Sequence, residues 1–571
     1  MGSVSRCTRR LSFAVIPLMF ATLLATMPAD IVRASSVLVN KIADTYDPGG
    51  CAGTGTGSCS LRDAVVYANA HAGTMISVPA GLYKLTIPPS GSDDDTTGDL
   101  NLYADMTING AGAASTTIDG GAIADGIFGA THSSVTLSGL TLTNGLRSNV
   151  SLLSGGALYV DLNTTVTVLD CVFFKNRDGF VGTGGAIATL GTLVVSRSTF
   201  MNNSAQGRVG DVAKDGGTGS GGAIAIASPS TLASVADSTF TGNSAIGGTG
   251  GNGDPSGSLP GPGGSGGGAY GGAIYLENGI SVSILRSTFV NNTAVGGTGG
   301  VGAAGPFSGG AGGAGGDGFG GAVVFSSSPN TLDVANSTFV ANNATGGRGG
   351  SGGGFSGPQG SGGVGGSGVA GAFYTSVTDT IVTNVTIDGN SAVAGIGGVG
   401  GGSTHGAPGR SIVGGMYSGH SAQVINTIVS NNSGGNCDGT ITNGGHNLQF
   451  NPNSGCGNTP FIVGDPKLTP LANYGGPTQT RGIGPGSAAL DAGDDTYCGA
   501  APVSGRDQRG MPRTQGAHCD IGTFEYAIVK TPPASRGGPQ VSGVPSAVPS
   551  ARSAGGGQIW SPPNPVPMPR R

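Results

Sequence analysis

The sequence is poor in charged and aromatic residues. Charged residues make up 10% of the 571 residues and aromatic residues 5%, and the one tryptophan is Trp560. The formal net charge of −5 is small for this length, so we expect no basic surface for nucleic acid. The 115 glycines disfavour a helical protein because glycine weakens helices. Glycine follows no strict three-residue period along the chain, which excludes collagen.

Long apolar runs are missing after the N-terminal segment, and no later segment is apolar for long enough to cross a bilayer as a helix. The N-terminal segment has the parts of a secretory signal peptide. Arg6, Arg9 and Arg10 give a positive start, and residues 11–27 are apolar. Small residues precede a cleavage site that we place after Ala34. We expect residues 1–34 to be removed on export; an uncleaved membrane anchor is the alternative.

Seven cysteines follow the predicted cleavage site, and six of them lie in close pairs. Export permits disulfides, and each pair would close a short loop. The predicted disulfides join Cys51 to Cys59, Cys437 to Cys456, and Cys498 to Cys519. Cys171 is left over at an apolar strand position, where we expect a buried thiol.

A two-part repeat is the main feature of the middle of the chain. Its first half is Gly-Gly-Ala followed by an apolar residue, at residues 155–158, 184–187, 221–224, 271–274 and 320–323, with weaker copies at 371–373 and 414–417. Its second half is Phe-x-x-Asn, beginning at Phe173, Phe200, Phe240, Phe289 and Phe339, with isoleucine in place of phenylalanine at Ile387 and Ile428. Self-similarity of this kind indicates a stacked array, and the alternating segments around it indicate strands.

These repeats predict an all-β right-handed parallel β-helix of the pectin-lyase type. Like residues of successive turns would stack, so that the phenylalanines form an internal column. The asparagines would occupy bends, where they tolerate left-handed backbone and can bond along the column. Gly-Gly suits a tight corner. Two strand segments per repeat suggest two coils per repeat, about 15 to 18 coils in all, and a rod of about 75 Å. With two coils per repeat, equivalent side chains of successive repeats would be separated by a coil. We therefore expect a solvated face of separated side chains at Arg197, Asp237, Arg286 and Asn336.

Glycine-rich excursions separate each Asn half from the next Gly-Gly-Ala half. They lie near residues 206–220, 246–269, 295–319, 345–369 and 394–413. Because all leave the repeat at the same point, we expect them to line one side of the rod. They are either a presented binding surface or unconstrained surface loops.

The start of the mature chain resembles the CSLREA domain of bacterial exported proteins. Cys59-Ser60-Leu61-Arg62-Asp63-Ala64 carries the resemblance, with aspartate in place of the glutamate of the motif. Residues 98–102, 107–112 and 117–120 also match its pattern. Residues 61–69 can form a short helix with Ser60 as N-cap, which would cover the edge of the first coil. We therefore predict an N-terminal cap and first coils over residues 35–150 and repeats over residues 151–432.

Residues 433–526 resemble a choice-of-anchor Q domain, a family defined by its place before surface-sorting signals. The matching segments are residues 464–468, 473–478, 486–493, 507–513 and 520–525. We predict that this domain caps the C-terminal end of the rod. Residues 527–571 are rich in proline, glycine and serine and are predicted to be disordered, with no LPxTG motif or apolar anchor. The middle repeats are similar to those of polymorphic outer membrane proteins, which are surface adhesins.

No constellation of catalytic, cofactor-binding or metal-binding residues is evident. Calcium is an option at Asp93, Asp94, Asp95 and Asp99 or at Asp491, Asp494 and Asp495, but polar turns explain both groups. Residues 312–319 match one copy of a calcium-binding nonapeptide that works in tandem. The charged residues Asp507, Arg509, Arg513, Asp520 and Glu525 are interpreted as ion pairs that fix the C-terminal domain.

The sequence thus predicts a secreted or cell-surface protein without catalytic activity, adhesive or matrix-associated, and associated with the outer membrane if the host has one. Its expected partners are an extracellular glycan, matrix, or a host or neighbouring cell surface. A polysaccharide lyase or glycoside hydrolase on the same fold is one alternative, and a passive surface spacer is another. Three or more charged side chains converging in one groove would favour the enzyme.

Overall fold

A computed structural model describes residues 35–527, apart from residues 52–57, 92–93, 148–154, 228–231, 257–258, 278–280, 327–330, 355–357, 378, 402–403 and 452–455. The predicted signal peptide with its cleavage site after Ala34, and the predicted disordered tail from residue 528, lie outside the described residues.

The described strands form four sheets in which named strands pair in parallel. The large sheet has two ladders that merge at its C-terminal end. Its first ladder contains Ser36–Leu38, Thr74–Val78, Met106–Gly110, Ser134–Ser138, Thr165–Leu169, Thr192–Ser196, Leu232–Ala236, Ser281–Leu285, Thr331–Ala335 and Asp379–Thr383. Its second ladder contains Leu100–Leu102, Phe128–Ala130, Leu158–Val160, Ile187–Thr189, Ile224–Ile226, Ile274–Leu276, Val323–Phe325 and Phe373–Thr375. Met416–Ile425 pairs with the last strand of both ladders, and Cys437–Asn443 pairs with Met416–Ile425.

The other three sheets have one ladder each within the described residues. The twelve-stranded sheet contains Gly81–Lys84, Thr116–Asp119, Thr141–Thr143, Val172–Phe174, Thr199–Met201, Thr239–Thr241, Thr288–Val290, Thr338–Val340, Thr386–Asp388, Ile428–Ser430, Leu448–Phe450 and Ile462–Val463. The seven-stranded sheet contains Leu146–Arg147, Arg177–Asp178, Ser204–Gln206, Ser244–Ile246, Thr293–Val295, Asn343–Thr345 and Ser391–Val393. The five-stranded sheet contains Gly219–Ser220, Ala269–Tyr270, Gly318–Phe319, Gly368–Val369 and Ser411–Ile412.

Each repeat forms one coil of a parallel β-helix. Phe200 pairs directly with Phe240, and Ile224 with Ile274, so the two halves of a repeat lie on different sides of the same turn. The predicted parallel β-helix is confirmed, but the expectation of two coils per repeat is wrong. The twelve-stranded ladder spans about 53 Å at the usual spacing of strands.

The phenylalanine column is internal, as predicted. The five rings from Phe173 to Phe339 are at most 1% exposed. Neighbouring ring centroids lie 4.7–4.8 Å apart with planes 4–5° from parallel. The column therefore stacks one aromatic ring per coil through the centre of the repeats.

The asparagines form a second internal column beside the phenylalanines. Asn243 donates its side-chain amide to Oδ1 of Asn292 and to the carbonyl of Phe200, both at 3.0 Å. Its own Oδ1 accepts hydrogen bonds from the backbone and side chain of Asn203. In most copies the left-handed backbone falls one residue earlier than predicted, as at Asn202 with a φ of 55°. The reason is that the bend turns the following asparagine inward, where its amide bonds along the column. In the last copy Asn431 is itself left-handed, and Asn432 takes the column position in its place.

The N-terminal helix spans Leu61–Ala70, and its N-cap is Ser60 as predicted. Asp63 completes a capping box, because its backbone donates to Ser60 Oγ while its carboxylate accepts from the Ser60 backbone. The helix buries Leu61, Ala64, Val65 and Ala68 in the main core, against the first coils. This packing covers the N-terminal edge of the large sheet.

The C-terminal region closes the last coil and then runs along the side of the β-helix. Cys437, Cys456 and Phe461 are buried in the main core at the end of the stack. Residues 465–526, which include the helix Asp495–Gly499, pack on outward hydroxyls of the twelve-stranded sheet. The contacts reach from Arg286 to His446, so this segment extends beyond the predicted end cap. The threonines of that sheet provide a polar surface that such a segment can bind.

The three disulfides in the described residues join Cys51 to Cys59, Cys437 to Cys456, and Cys498 to Cys519. These are the pairs that the sequence spacing predicts. Cys171 is a free thiol that is 1% exposed, and burial raises its pKa to about 11. It therefore behaves as an apolar core residue.

Candidate functional site

The glycine-rich excursions all leave the β-helix at one point of the coil. Each one follows a strand of the seven-stranded sheet and returns into a strand of the five-stranded sheet, as residues 207–218 do between Gln206 and Gly219. The others cover residues 247–268, 296–317, 346–367 and 394–410, with the gaps stated above. They therefore line one side of the stack, as the repeats predict. We call them together the glycine-rich bundle.

The segments of the bundle are ordered and bind each other through their backbones. They follow a Gly-Gly-X pattern, and three residues per turn is the period of the polyproline II helix. The first glycine donates to the next outgoing segment, as Gly250 does to the carbonyl of Thr298 at 2.8 Å. The second donates to a returning segment, as Gly300 does to the carbonyl of Gly264 at 2.8 Å. The excursions are thus two hydrogen-bonded layers, one outgoing and one returning, and not loose loops.

Two of every three positions in the bundle have no room for a side chain. A Cβ atom on Gly250 would lie 2.0 Å from the carbonyl oxygen of Gly264, and one on Gly251 would lie 1.6 Å from that of Asp211. Neither glycine has a positive φ. Glycine is therefore required here for the close approach of backbones and not for an unusual backbone conformation.

The third position of each triplet points outward and forms a regular surface. On the outgoing layer these positions make three rows across five excursions, and we call this surface the outgoing face. Its rows are Gln206, Ile246, Val295, Thr345 and Val393; Val209, Thr249, Thr298, Arg348 and Ile396; and Val212, Asn252, Val301, Ser351 and Val399. Eleven of these fifteen residues are Val, Ile or Thr, and Arg348 is the only charged one. Val209, Val212 and Ile396 are 60–62% exposed.

The returning layer has an outer surface of different chemistry, which we call the return face. Its positions are mainly small or polar: Pro262, Ala311, Ser361 and Thr404; Asp215, Ser265, Ala314, Val364 and Ala407; and Thr218, Gly268, Asp317, Ser367 and Arg410. Asp317, the acidic residue of the nonapeptide match, accepts a hydrogen bond from the backbone of Ser367 at 2.5 Å. That carboxylate links adjacent segments of the bundle.

An aromatic row lies where the bundle joins the β-helix. The Tyr270 and Phe319 rings stack at 5.3 Å, and the Tyr374 and Tyr417 rings stack at 5.4 Å. Phe319 contacts Tyr374 edge-on at 5.3 Å, which makes the row continuous. Burial raises the pKa of both Tyr270 and Tyr374. The sequence analysis missed this row because its residues come from different strands of different coils.

A groove of about 550 Å³ lies beside the first coils, at the exit of the twelve-stranded sheet. Lys84, Asp119, Asn144, Lys175 and Arg177 line it. Asn144 donates to the Asp119 carboxylate at 3.0 Å, and the Lys175 ammonium lies 4.9 Å from the centre of the Phe174 ring. Three cations and one carboxylate thus share a groove that the sequence analysis did not anticipate. Apart from Lys175 and Arg177, which are two positions apart, these residues are at least 25 positions from one another, so no motif marks them.

The outward charges of the repeats pair along the stack, because adjacent repeats are adjacent coils. Arg197 binds Asp170 at 2.8 Å, and Arg286 binds Asp237 at 2.7 Å. The prediction of separated side chains on a solvated face is wrong for these residues. Asn336, the next residue of the series, is buried under the C-terminal segment, where its Oδ1 accepts from Arg513 at 2.9 Å.

The charges of the C-terminal segment hold that segment together. Arg513 is 7% exposed and donates to the carbonyl of Gly522 at 2.7 Å and to Glu525 at 3.4 Å. Arg509 pairs with Asp507 at 2.6 Å. The interpretation of these residues as structural ion pairs is confirmed by these contacts. Burial raises the pKa of Asp520 in the same cluster to about 6.

The acidic groups considered for calcium make polar turns and ion pairs in the structure. Asp494 caps the helix Asp495–Gly499, and Asp491 accepts from the backbone of Ala517 at 2.8 Å. Asp95 accepts from Asn69 at 2.8 Å. Asp93 lies outside the described residues. In the part of the chain that is described, no three His, Cys, Asp or Glu side chains are placed to hold a metal ion. Neither helix there has the length and apolar character to cross a bilayer.

The coils, the columns and the bundle define a parallel β-helix protein. No protein-family model matches the sequence, and no curated protein is significantly similar to it. Solved structures with some similarity include pectate lyase Pel9A, at 12% identity and a TM-score of 0.34, with 86% of this chain and 97% of that chain covered. A rhamnogalacturonan lyase has 11% identity and a TM-score of 0.35, with 77% and 92% covered. XylC in complex with xylose has 9% identity and a TM-score of 0.39, with 86% and 98% covered. At these scores the similarities carry no argument about activity.

Proposed function

We propose that the protein is an exported, adhesive or matrix-associated protein of the cell surface or its surroundings, and that it binds through the outgoing face. The observation that carries this proposal is the flat, ordered array of exposed Val, Ile and Thr side chains on that face. Contiguous apolar surface of this size on a soluble protein marks an interaction site. The structure holds the array rigid through backbone hydrogen bonds, which lowers the entropy cost of binding.

Export and surface location are supported by the predicted signal peptide and by the three disulfides, which need an oxidising compartment. The resemblance of the repeats to those of polymorphic outer membrane proteins supports adhesion. The resemblance of the C-terminal segment to choice-of-anchor domains supports a surface location. The expected partners are an extracellular glycan, matrix material or a cell surface.

The test is binding of the purified chain to cells, matrix preparations and glycan arrays. The double variant Thr298→Lys, Val301→Lys places two charges at exposed positions in the centre of the outgoing face. The double variant Ala314→Lys, Val364→Lys makes the same change on the return face and is the matched control. We expect binding by the wild type and the control and a loss of at least about tenfold in the outgoing-face variant. Equal binding by all three would reject the outgoing face as the binding site.

A passive spacer remains the alternative to adhesion, and deletion of the outer part of the bundle separates the two. Shortening each excursion to four residues, the length of residues 179–182 between Asp178 and Thr183, would remove two of the three rows of the outgoing face while leaving the coils intact. A passive spacer would still hold other molecules away from the cell surface after this change, whereas an adhesive protein would lose binding. If the shortened chain still bound cells, matrix or glycan, the proposal that the protein binds through the outgoing face would be overturned.

Catalysis on a polysaccharide is the second candidate, and the charged groove favours it. Lys84, Lys175, Arg177 and Asp119 meet the criterion of three or more charged side chains in one groove. Cationic side chains could bind an acidic sugar, and a lysine side chain in its neutral amine form could accept a proton from it. Release of unsaturated or reducing sugar from a panel of acidic and neutral polysaccharides tests this candidate. Activity that is lost in Lys175→Ala but kept in the exposed control Lys214→Ala would replace adhesion as the leading function.

A further inference from the structure

We infer that the outgoing face docks onto the outgoing face of a second copy of this chain. The inference rests on the proposed adhesive function and names its partner: adhesion would be homotypic, between identical proteins on neighbouring surfaces or in one matrix. It follows from the area of the face, from the order of its residues and from the position of its one charge.

The area of the face is sufficient for a specific contact. Rows lie about 9.3 Å apart, because three residues of a polyproline II helix rise by that distance. Segments lie about 4.8 Å apart, because they continue coils stacked at the spacing of strands. Fifteen positions then cover about 670 Å² per copy and about 1,300 Å² for two copies, which is within the range of stable protein interfaces.

The order of the residues makes the face complementary to itself. A twofold axis along the third outgoing segment, which carries Val295, Thr298 and Val301, exchanges the first segment with the fifth and the second with the fourth. Val209 then faces Ile396, and Val212 faces Val399. Each apolar residue of these outer pairs meets another apolar residue, and the central valines meet their own copies.

Several of the polar residues also meet suitable partners in this arrangement, whereas Gln206 faces Val393 at a corner of the contact. Asn252 faces Ser351, so an amide lies opposite a hydroxyl. Arg348 faces Thr249, and the two arginines of the dimer lie two segments apart, at about 9.6 Å in projection. No other charge is present on the face, and the stems of the two arginines can extend toward its edges so that their guanidinium groups stay in water. Stiff β-branched side chains on a hydrogen-bonded backbone lose little freedom when they dock.

Sedimentation velocity of the full chain over a range of concentrations tests the inference. We expect the wild type to form dimers, and the control variant Ala314→Lys, Val364→Lys to form them equally well. The outgoing-face variant Thr298→Lys, Val301→Lys should raise the dissociation constant at least about 100-fold, because the new charges would be buried at the centre of the contact. Circular dichroism and thermal unfolding of both variants check that the fold is kept.

Cysteine cross-linking tests the position of the axis. Thr298→Cys should form a disulfide between two copies under mild oxidation, because the axis passes through residue 298. Val212→Cys should not do so, because the two copies of residue 212 would be about 19 Å apart in the same arrangement. Efficient cross-linking through residue 212 but not residue 298 would overturn the twofold contact.

The outcomes distinguish this inference from the proposed function. A wild type that stays monomeric at its highest soluble concentration overturns the homotypic contact. If that monomer still binds cells, matrix or an insoluble polysaccharide and the outgoing-face variant does not, the proposed function stands with another partner. If the monomer binds nothing, both fail. Dimers that the outgoing-face variant forms as well as the wild type does would also overturn the inference.

Discussion

Asn243 and Asn292 lie 49 residues apart in the sequence, yet the side-chain amide of the first donates to the side-chain carbonyl of the second at 3.0 Å. Both side chains are fully buried. The same bond recurs from Asn176 to Asn436 through the repeats. Each asparagine is therefore a donor to one coil and an acceptor from another, and the column has no spare polar atom at its middle positions.

Replacing one asparagine in the middle of this column should destabilise the fold strongly. In Asn243→Ala, the backbone and side-chain N–H groups of Asn203 lose their acceptor, and the carbonyl of Phe200 loses a donor. Buried groups left unsatisfied in this way should lower the free energy of unfolding by at least about 3 kcal/mol. Thr241→Ala, on the partly exposed outer side of the same coil, should change it by less than about 0.5 kcal/mol. Denaturant unfolding followed by circular dichroism measures both, and similar values would show that the column carries little stability.

Glycine at the first position of a triplet should be irreplaceable in the bundle. Gly250→Ala would place a Cβ atom 2.0 Å from the carbonyl oxygen of Gly264, so the two layers must separate. We expect a local loss of about 2–3 kcal/mol, seen as faster hydrogen exchange of bundle amides while the amides of the large sheet stay protected. Thr249→Ala, the neighbouring exposed position, should exchange like the wild type. Unchanged exchange in Gly250→Ala would contradict the two-layer packing.

Gln508 should hold the C-terminal segment on the side of the β-helix. Its Nε2 donates to Thr288 Oγ1 at 2.9 Å and to Thr478 Oγ1 at 3.0 Å, and its Oε1 accepts from Thr338 Oγ1 at 2.6 Å. Gln508→Ala removes one hydrogen bond from each of these hydroxyls and the side chain that links the segment to two coils, although each hydroxyl keeps another partner. Proteolysis under non-reducing conditions should therefore cut between residues 465 and 526 at least about tenfold faster than in the wild type. Gln515→Ala removes a single exposed contact and serves as the control. Equal cleavage rates in the two variants would count against this anchoring role.

Cys171 should be unreactive in the folded protein. Its side chain is 1% exposed and burial raises its pKa to about 11, so the thiolate is scarce and inaccessible at pH 8. A thiol-specific disulfide reagent should give no signal before unfolding. After unfolding without reductant, it should detect one thiol if cleavage has occurred after Ala34 and two if Cys7 is retained. Rapid reaction of the folded chain would contradict the buried position.

The features that repeat were the ones the sequence could predict. Phe200 and Phe240 are chemically identical and recur at the same place in the motif, so their stacking follows from any in-register array. The number of coils did not follow, because the distance from Gly-Gly-Ala to Phe fits a whole turn as well as two sides of one turn. Only the pairing of Phe200 with Phe240 decides between them.

The sequence predicted where the glycine-rich bundle lies but not its ordered structure of two layers. The common exit point of the excursions placed them on one side of the stack, whereas their order depends on a local Gly-Gly-X period such as that of residues 247–253. This three-residue period is confined to the excursions, so it does not appear as a regular glycine period along the whole chain. The charged groove and the contacts of Gln508 could not be predicted, because they join residues that no periodicity relates.

The pairing of each coil with the next has a consequence for how the protein can change. From Asn243 to Asn342 successive copies are 49 and 50 residues apart, and each unit contributes one strand to every ladder, one phenylalanine, one asparagine and one pair of bundle segments. Recombination between two units would insert or delete a whole layer, and the residues inside the coils and the bundle would keep equivalent neighbours. The lineage could therefore adjust the reach of the protein and the width of its outgoing face in steps of about 4.8 Å without redesigning the contacts between coils, and only the contacts of residues 465–526 across the coils would have to change.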